Sequence, residues 1–144
     1  MRKSDLNIAM ERLKQKQLAL AIAKRGSIIF ETSSHGIGGL LRAIEELNTE
    51  MADSSVADRI VGKAAALLCL YSGVFAVFAV TASEKGIQAL RVNNVSCKFE
   101  NVVPYILDSR KSGICPFENL VTDVSDPKEA YEKLKSFAAE RRFS

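Results

Sequence analysis

Apolar positions recur at helical spacing near the two ends of the chain and fall into alternating or unbroken runs between them. Ser4-Asp5 can cap a first helix in which Leu6, Met10 and Leu13 share one face. Near Gln17 the period changes: Leu18, Leu20 and Ile22 alternate with alanines, Lys24-Arg25-Gly26 reads as a turn, and Ser27 to Thr32 reads as a second strand. A β-hairpin is the expectation, although the Ala- and Leu-rich segment could also continue the helix. The helix LLRAIEELN follows, with Leu40, Leu41, Ile44 and Leu47 on one side. Ser55 and Asp58 then form a capping-box pattern, which predicts a helix from about Val56 to Tyr71.

The segment Ala64 to Ala82 carries no charge, and as a single helix it would be long enough to cross a bilayer. Its first half is Ala/Leu-rich and its second half Val/Phe-rich, with Ser72-Gly73 between them. That change of preference predicts a helix, a turn and a strand from Val74 to Thr81, buried on both faces of a soluble domain, with no membrane span. Ser83 can cap a short helix through Leu90, and Val95, Cys97 and Phe99 alternate with polar residues as in a half-buried strand. Cys115-Pro116 opens a helical turn, and Asp126-Pro127 opens a last helix with Ala130, Leu134 and Phe137 as its apolar stripe. The order implies an α/β protein, a three-layer α/β/α sandwich with a mixed four- to five-stranded sheet. Four strands are visible, and a fifth is expected between Val102 and Leu107 or between Asn119 and Val124.

Composition narrows the function classes. The 144 residues fit one domain, 47% hydrophobic and 26% charged, with a net charge of +3. The 20 Lys and Arg residues are scattered and no basic stretch interleaves with aromatics, so nothing prompts nucleic-acid binding. The charged N-terminal stretch does not read as a signal peptide. Cys69, Cys97 and Cys115 are widely spaced and His35 is the sole histidine, so no zinc-ligand pattern is present and no cofactor is implied. Three free thiols fit a reducing, cytoplasmic setting.

Three segments could carry chemistry. At the expected helix start, Ser54, Ser55 and the first N–H groups could hold an anion, with Asp58 and Lys63 beside them; the plain alternative is a capping box and a solvated face. Cys115 to Asn119 places a thiol at a helix N-terminus, where the dipole favours the thiolate, with Asp58 or Glu118 as acid–base partners. An inert thiol in a Pro-initiated turn is the competing reading. The Gly-rich loop SSHGIGG matches neither GxGxxG nor the Walker spacing and reads best as a connection.

The stretches SSVADRIVGKAAALL, VFAVFAV, VVPYILDSR and ICPFEN together resemble an uncharacterised prokaryotic family with the cytidine deaminase-like fold. The resemblance covers roughly Leu18 to Tyr131, so 1–16 is expected as a helical extension and 17–144 as the core of a single domain. It implies a pocket at the N-termini of the core helices, for a nucleoside- or nucleotide-like ligand held by Ser54, Ser55, Asp58, Lys63, Cys115 and Asn119. Zinc deaminases carry H-x-E at the first core helix and P-C-x-x-C at the second. The segments aligned with these, VADRIVGK and TASEKG, carry neither, so a zinc hydroxide is not expected. Two other expectations remain open, a Cys115-dependent enzyme and a non-catalytic regulatory module, the latter with a homodimer formed through a helical face.

Overall fold

The structure, a computed structural model, describes residues 4–142. A five-stranded sheet in the order β2-β1-β3-β4-β5 lies at its centre, formed by β1 (Leu20–Lys24), β2 (Ser27–Thr32), β3 (Ser55–Val61), β4 (Ala76–Ser83) and β5 (Ser96–Val103). The hairpin β1–β2 and the pair β1–β3 are antiparallel, whereas β3, β4 and β5 are mutually parallel. The helices are α1 (Asp5–Gln15), α2 (Ile37–Leu47), α3 (Lys63–Tyr71), α4 (Glu84–Val92), α5 (Pro116–Leu120) and α6 (Pro127–Arg142). Both parallel crossovers step in the same direction along the sheet, so right-handed connections put α3 and α4 on one face. There they pack against each other.

The hairpin forms as expected. Helix α1 stops at Gln15, Gln17 turns the chain at φ 53°, and Arg25-Gly26 reverses it at φ 50° and 81°. Asp5 fixes that turn, accepting from the backbone N–H of Arg25 and of Gly26. The uncharged run resolves into α3, a turn at Gly73 (φ 75°) and β4. Among the described residues no helix is long and apolar enough to cross a membrane.

The fifth strand is not where it was expected. Residues 55–61 form β3, between β1 and β4, and α3 begins only at Lys63. Asp58 and Arg59 inside the segment, and the capping-box spacing, give it a helical look. The fold supplies both charges with partners: Asp58 Oδ1 accepts from the N–H of Ile60, and Arg59 donates to the carbonyls of Leu13 and Leu18.

Two apolar layers sandwich the sheet. The larger lies under α2, α3, α4 and α6 and contains Leu20, Ile22, Val56, Val77, Leu67, Leu68 and Leu134. The smaller lies under α1, where Leu6, Ala9 and Leu13 meet Ala21, Ala23, Ala57, Ala76 and Phe78. Alanines on that face let α1 approach the strands closely. Helix α1 thus closes the second face of the sheet.

Candidate functional site

The C-terminal ends of β3 and β4 carry the junctions into α3 and α4, the place where open α/β sheets hold ligands. At the first junction Gly62 is the N-cap of α3 and supplies no side-chain cap. The cap comes from a distant segment. Glu118, in α5, accepts from the N–H of Lys63 at 2.9 Å and of Ala64 at 2.8 Å, one with each carboxylate oxygen. Lys63 Nζ donates to the carbonyl of Thr122 at 2.9 Å, so the same segment is held twice. A carboxylate here satisfies two orphan N–H groups and meets the positive end of the helix dipole.

Gly62 is required for this contact, since a Cβ there would lie 2.3 Å from Glu118 Oε1. Gly86, in the first turn of α4, is packed as tightly, because its Cβ would come within 2.9 Å of Gly62 and Val61 backbone atoms. The α4 start is capped by Ser83 Oγ, which accepts from the N–H of Gly86. Phe117 packs edge-on against Phe137, and Arg141 lies over both rings, docking α5 on α6.

A second feature lies lower on β3. Val56, Asp58 and Ile60 alternate onto the α3 side of the sheet. Val56 is fully buried, Asp58 is partly covered, and Ile60 is 52% exposed, so the helix layer opens toward the end of the strand. Asp58 stands between Leu20 on β1 and Ala79 on β4. Burial pushes its carboxyl from 3.8 up to about 7, against the lowering effect of N–H groups from Ile60 and Arg59. Gly39, in the first turn of α2, packs on Leu20 and Thr32, which brings that turn beside the Asp58 position. The α2 N-cap is Gly36 (φ 89°), with no side-chain cap and no acid in the first turn.

The residues singled out from sequence therefore separate into three places. Lys63, Glu118 and the Cys115–Asn119 turn converge at the α3 N-terminus. Asp58 lies some four residues down β3, roughly 13 Å at strand spacing. Ser54 and Ser55 do not join them: Ser54 precedes β3 and Ser55 opens it, at the opposite end of the strand, both buried, with Ser54 Oγ donating to the Met51 carbonyl. The expectation that they open a helix is corrected, because that helix starts eight residues after Ser55.

Cys115 is the N-cap of α5, a helix of five residues, and its carbonyl accepts from the N–H of Glu118 and of Asn119. Asn119 itself is exposed. Glu118, engaged with α3, is not poised as a base for the thiol. The feature that sequence reasoning missed is the Glu118 cap, whose two partners lie 54 and 55 residues away. Gly62 just before an apolar helix was its only local sign.

With β3 in place, α2 is the first helix after the hairpin and α3 the second, and the segment VADRIVGK, expected to open the first core helix, lies almost wholly in strand β3. The α2 approach reads Ser34-His35-Gly36-Ile37, a histidine with no glutamate two residues on. The α3 start reads Gly62-Lys63-Ala64-Ala65-Ala66, with no cysteine. Among the described residues no group of three or more His, Cys, Asp or Glu could hold a metal.

Sheet order and helix placement define an α/β protein of the cytidine deaminase-like type. A family model, TM1506, a domain of unknown function (DUF1893), matches residues 8–138, and the chain belongs to that family. The crystal structure of the DUF1893 protein TM1506 from Thermotoga maritima is similar over 93% of this chain and 90% of that one, at 26% identity and a TM-score of 0.79. RibD from Acinetobacter baumannii is similar in fold, with a TM-score of 0.53 and 14% identity over 67% of this chain and 36% of the RibD chain. No curated protein matches in sequence.

Proposed function

We propose that the chain binds a nucleoside- or nucleotide-like ligand without zinc, over Asp58 toward the end of β3 and beside the first turn of α2. The observation that carries this reading is the place of Asp58, a partly covered carboxyl on β3 opposite Leu20, on which the first turn of α2 packs; burial pushes its pKa up to about 7. Near neutral pH such a group can both donate and accept a hydrogen bond, which suits the ring-nitrogen and amino edge of a heterocyclic base. The uncapped first turn of α2 lies alongside and leaves room at Gly36 and Gly38, where an added Cβ would meet nothing within 4 Å. Its N–H groups suit a phosphate or ribose oxygen. The α3 N-terminus is not assigned to the ligand, because Glu118 already fills it.

Titration calorimetry with a panel of nucleosides and nucleotides tests this reading. Binding by the wild-type chain that weakens at least tenfold in Asp58→Ala supports it. A panel without heat or melting shift, or binding indifferent to Asp58→Ala, removes its basis.

A further inference from the structure

Strand β5 forms one edge of the sheet. It runs for eight residues without proline, and among the described residues no strand lies along its outer side. An edge of this length invites pairing with another chain unless it is short, kinked or guarded by unmatched charge. Its sequence, Ser-Cys-Lys-Phe-Glu-Asn-Val-Val, places opposite charges symmetrically about Phe99.

We propose that two copies of this chain pair antiparallel along β5, with the two-fold axis at Phe99, to make one continuous ten-stranded sheet. In that register Lys98 faces the partner's Glu100 and Glu100 faces the partner's Lys98, so both cross-strand pairs are of opposite charge. Glu100 is already oriented on the α1 side by its ion pair with Lys14, and Lys98, two residues away, lies on the same side and is exposed. On the other side Phe99, half-buried beneath the Arg91 guanidinium, meets the partner's Phe99. Cys97 stands opposite the partner's Asn101. Val102, 52% exposed at the end of the edge, is covered by the added strand. The other edge strand, β2, offers no such match, since Glu31 is its only charge and is paired within the chain to Arg12 and Lys16.

The full chain should sediment at about twice its 15.8 kDa mass. Lys98→Glu and Glu100→Lys, each of which puts like charges opposite one another, should each associate at least tenfold more weakly. Mixed in equal amounts, the two variants should form a heterodimer in which every pair is again opposite. Oxidised Asn101→Cys should cross-link covalently through Cys97 of the partner subunit, because opposed strand residues lie within disulfide reach. A wild-type monomer at ~100 µM, a concentration at which even weak specific dimers assemble, overturns the proposal. So does a dimer whose mass is unchanged in both charge variants, or an Asn101→Cys chain that stays uncross-linked.

Discussion

Glu118 and Lys63 are 55 residues apart in sequence, and the carboxylate of the first closes the helix begun by the second. The contact ties the segment after β5 to the end of β3 and fills the anion-binding position at the start of α3. It accounts for Gly62, whose missing side chain is the space the carboxylate uses.

Replacing Glu118 by Ala should therefore destabilise the fold by about 1–2 kcal/mol, in line with losing a charged helix cap. Glu118→Gln, which keeps the oxygen but not the charge, should cost less. In the alanine variant inorganic phosphate or sulfate should recover part of the loss by occupying the vacated N–H groups. Chemical denaturation with and without phosphate measures this, and an Ala variant as stable as wild type would contradict the capping role.

Asp58 gives stability a definite dependence on pH. Its pKa is raised in the folded chain, from 3.8 to about 7, so the folded state holds the proton more tightly than the unfolded chain. Stability from this group is present in full below about pH 4 and is lost as pH rises through about 7. Asp58→Asn, neutral at every pH, should melt close to wild type at pH 5 and on the order of 5 °C higher at pH 8. Equal melting differences at the two pH values would show that the carboxyl is ordinary.

Gly86 and Gly38 make a matched pair of helix glycines with opposite expected outcomes. An alanine at 86 meets Gly62 and Val61 backbone atoms at 2.9 Å and should cost about 2 kcal/mol or more, since backbone cannot step aside cheaply. An alanine at 38 meets nothing and should stabilise α2 by about 0.5–1 kcal/mol. Denaturation midpoints of the two variants decide the matter.

Arg59 fastens β3 to the end of α1 through the Leu13 and Leu18 carbonyls. Arg59→Met keeps the aliphatic stem but leaves both acceptors without that donor, at an expected cost of about 1–3 kcal/mol. Hydrogen exchange in α1 should accelerate more than in α3. Uniform acceleration would mean that the arginine stabilises the whole fold rather than this junction.

Much of the fold was legible in the sequence because its signals are local. The hairpin turn, the Ser83 cap, the change of preference at Ser72-Gly73 and the Asp126-Pro127 start each involve residues within a few positions of one another. The structure places each of these where the pattern expects it. For 55–61 the pattern failed, because a strand paired on both sides shows only a weak alternation, and it carries Arg59 because the Leu13 and Leu18 carbonyls arrive from another segment.

The sequence by itself determined an α/β domain and the apolar helix–turn–strand of Ala64 to Ala82. Only the tertiary structure decided that Ser54 and Ser55 lie at the far end of β3 from Lys63, that Glu118 occupies the α3 N-terminus, and that burial pushes the Asp58 carboxyl upward. Those three depend on contacts between distant segments and on burial, and neither is written in residue spacing.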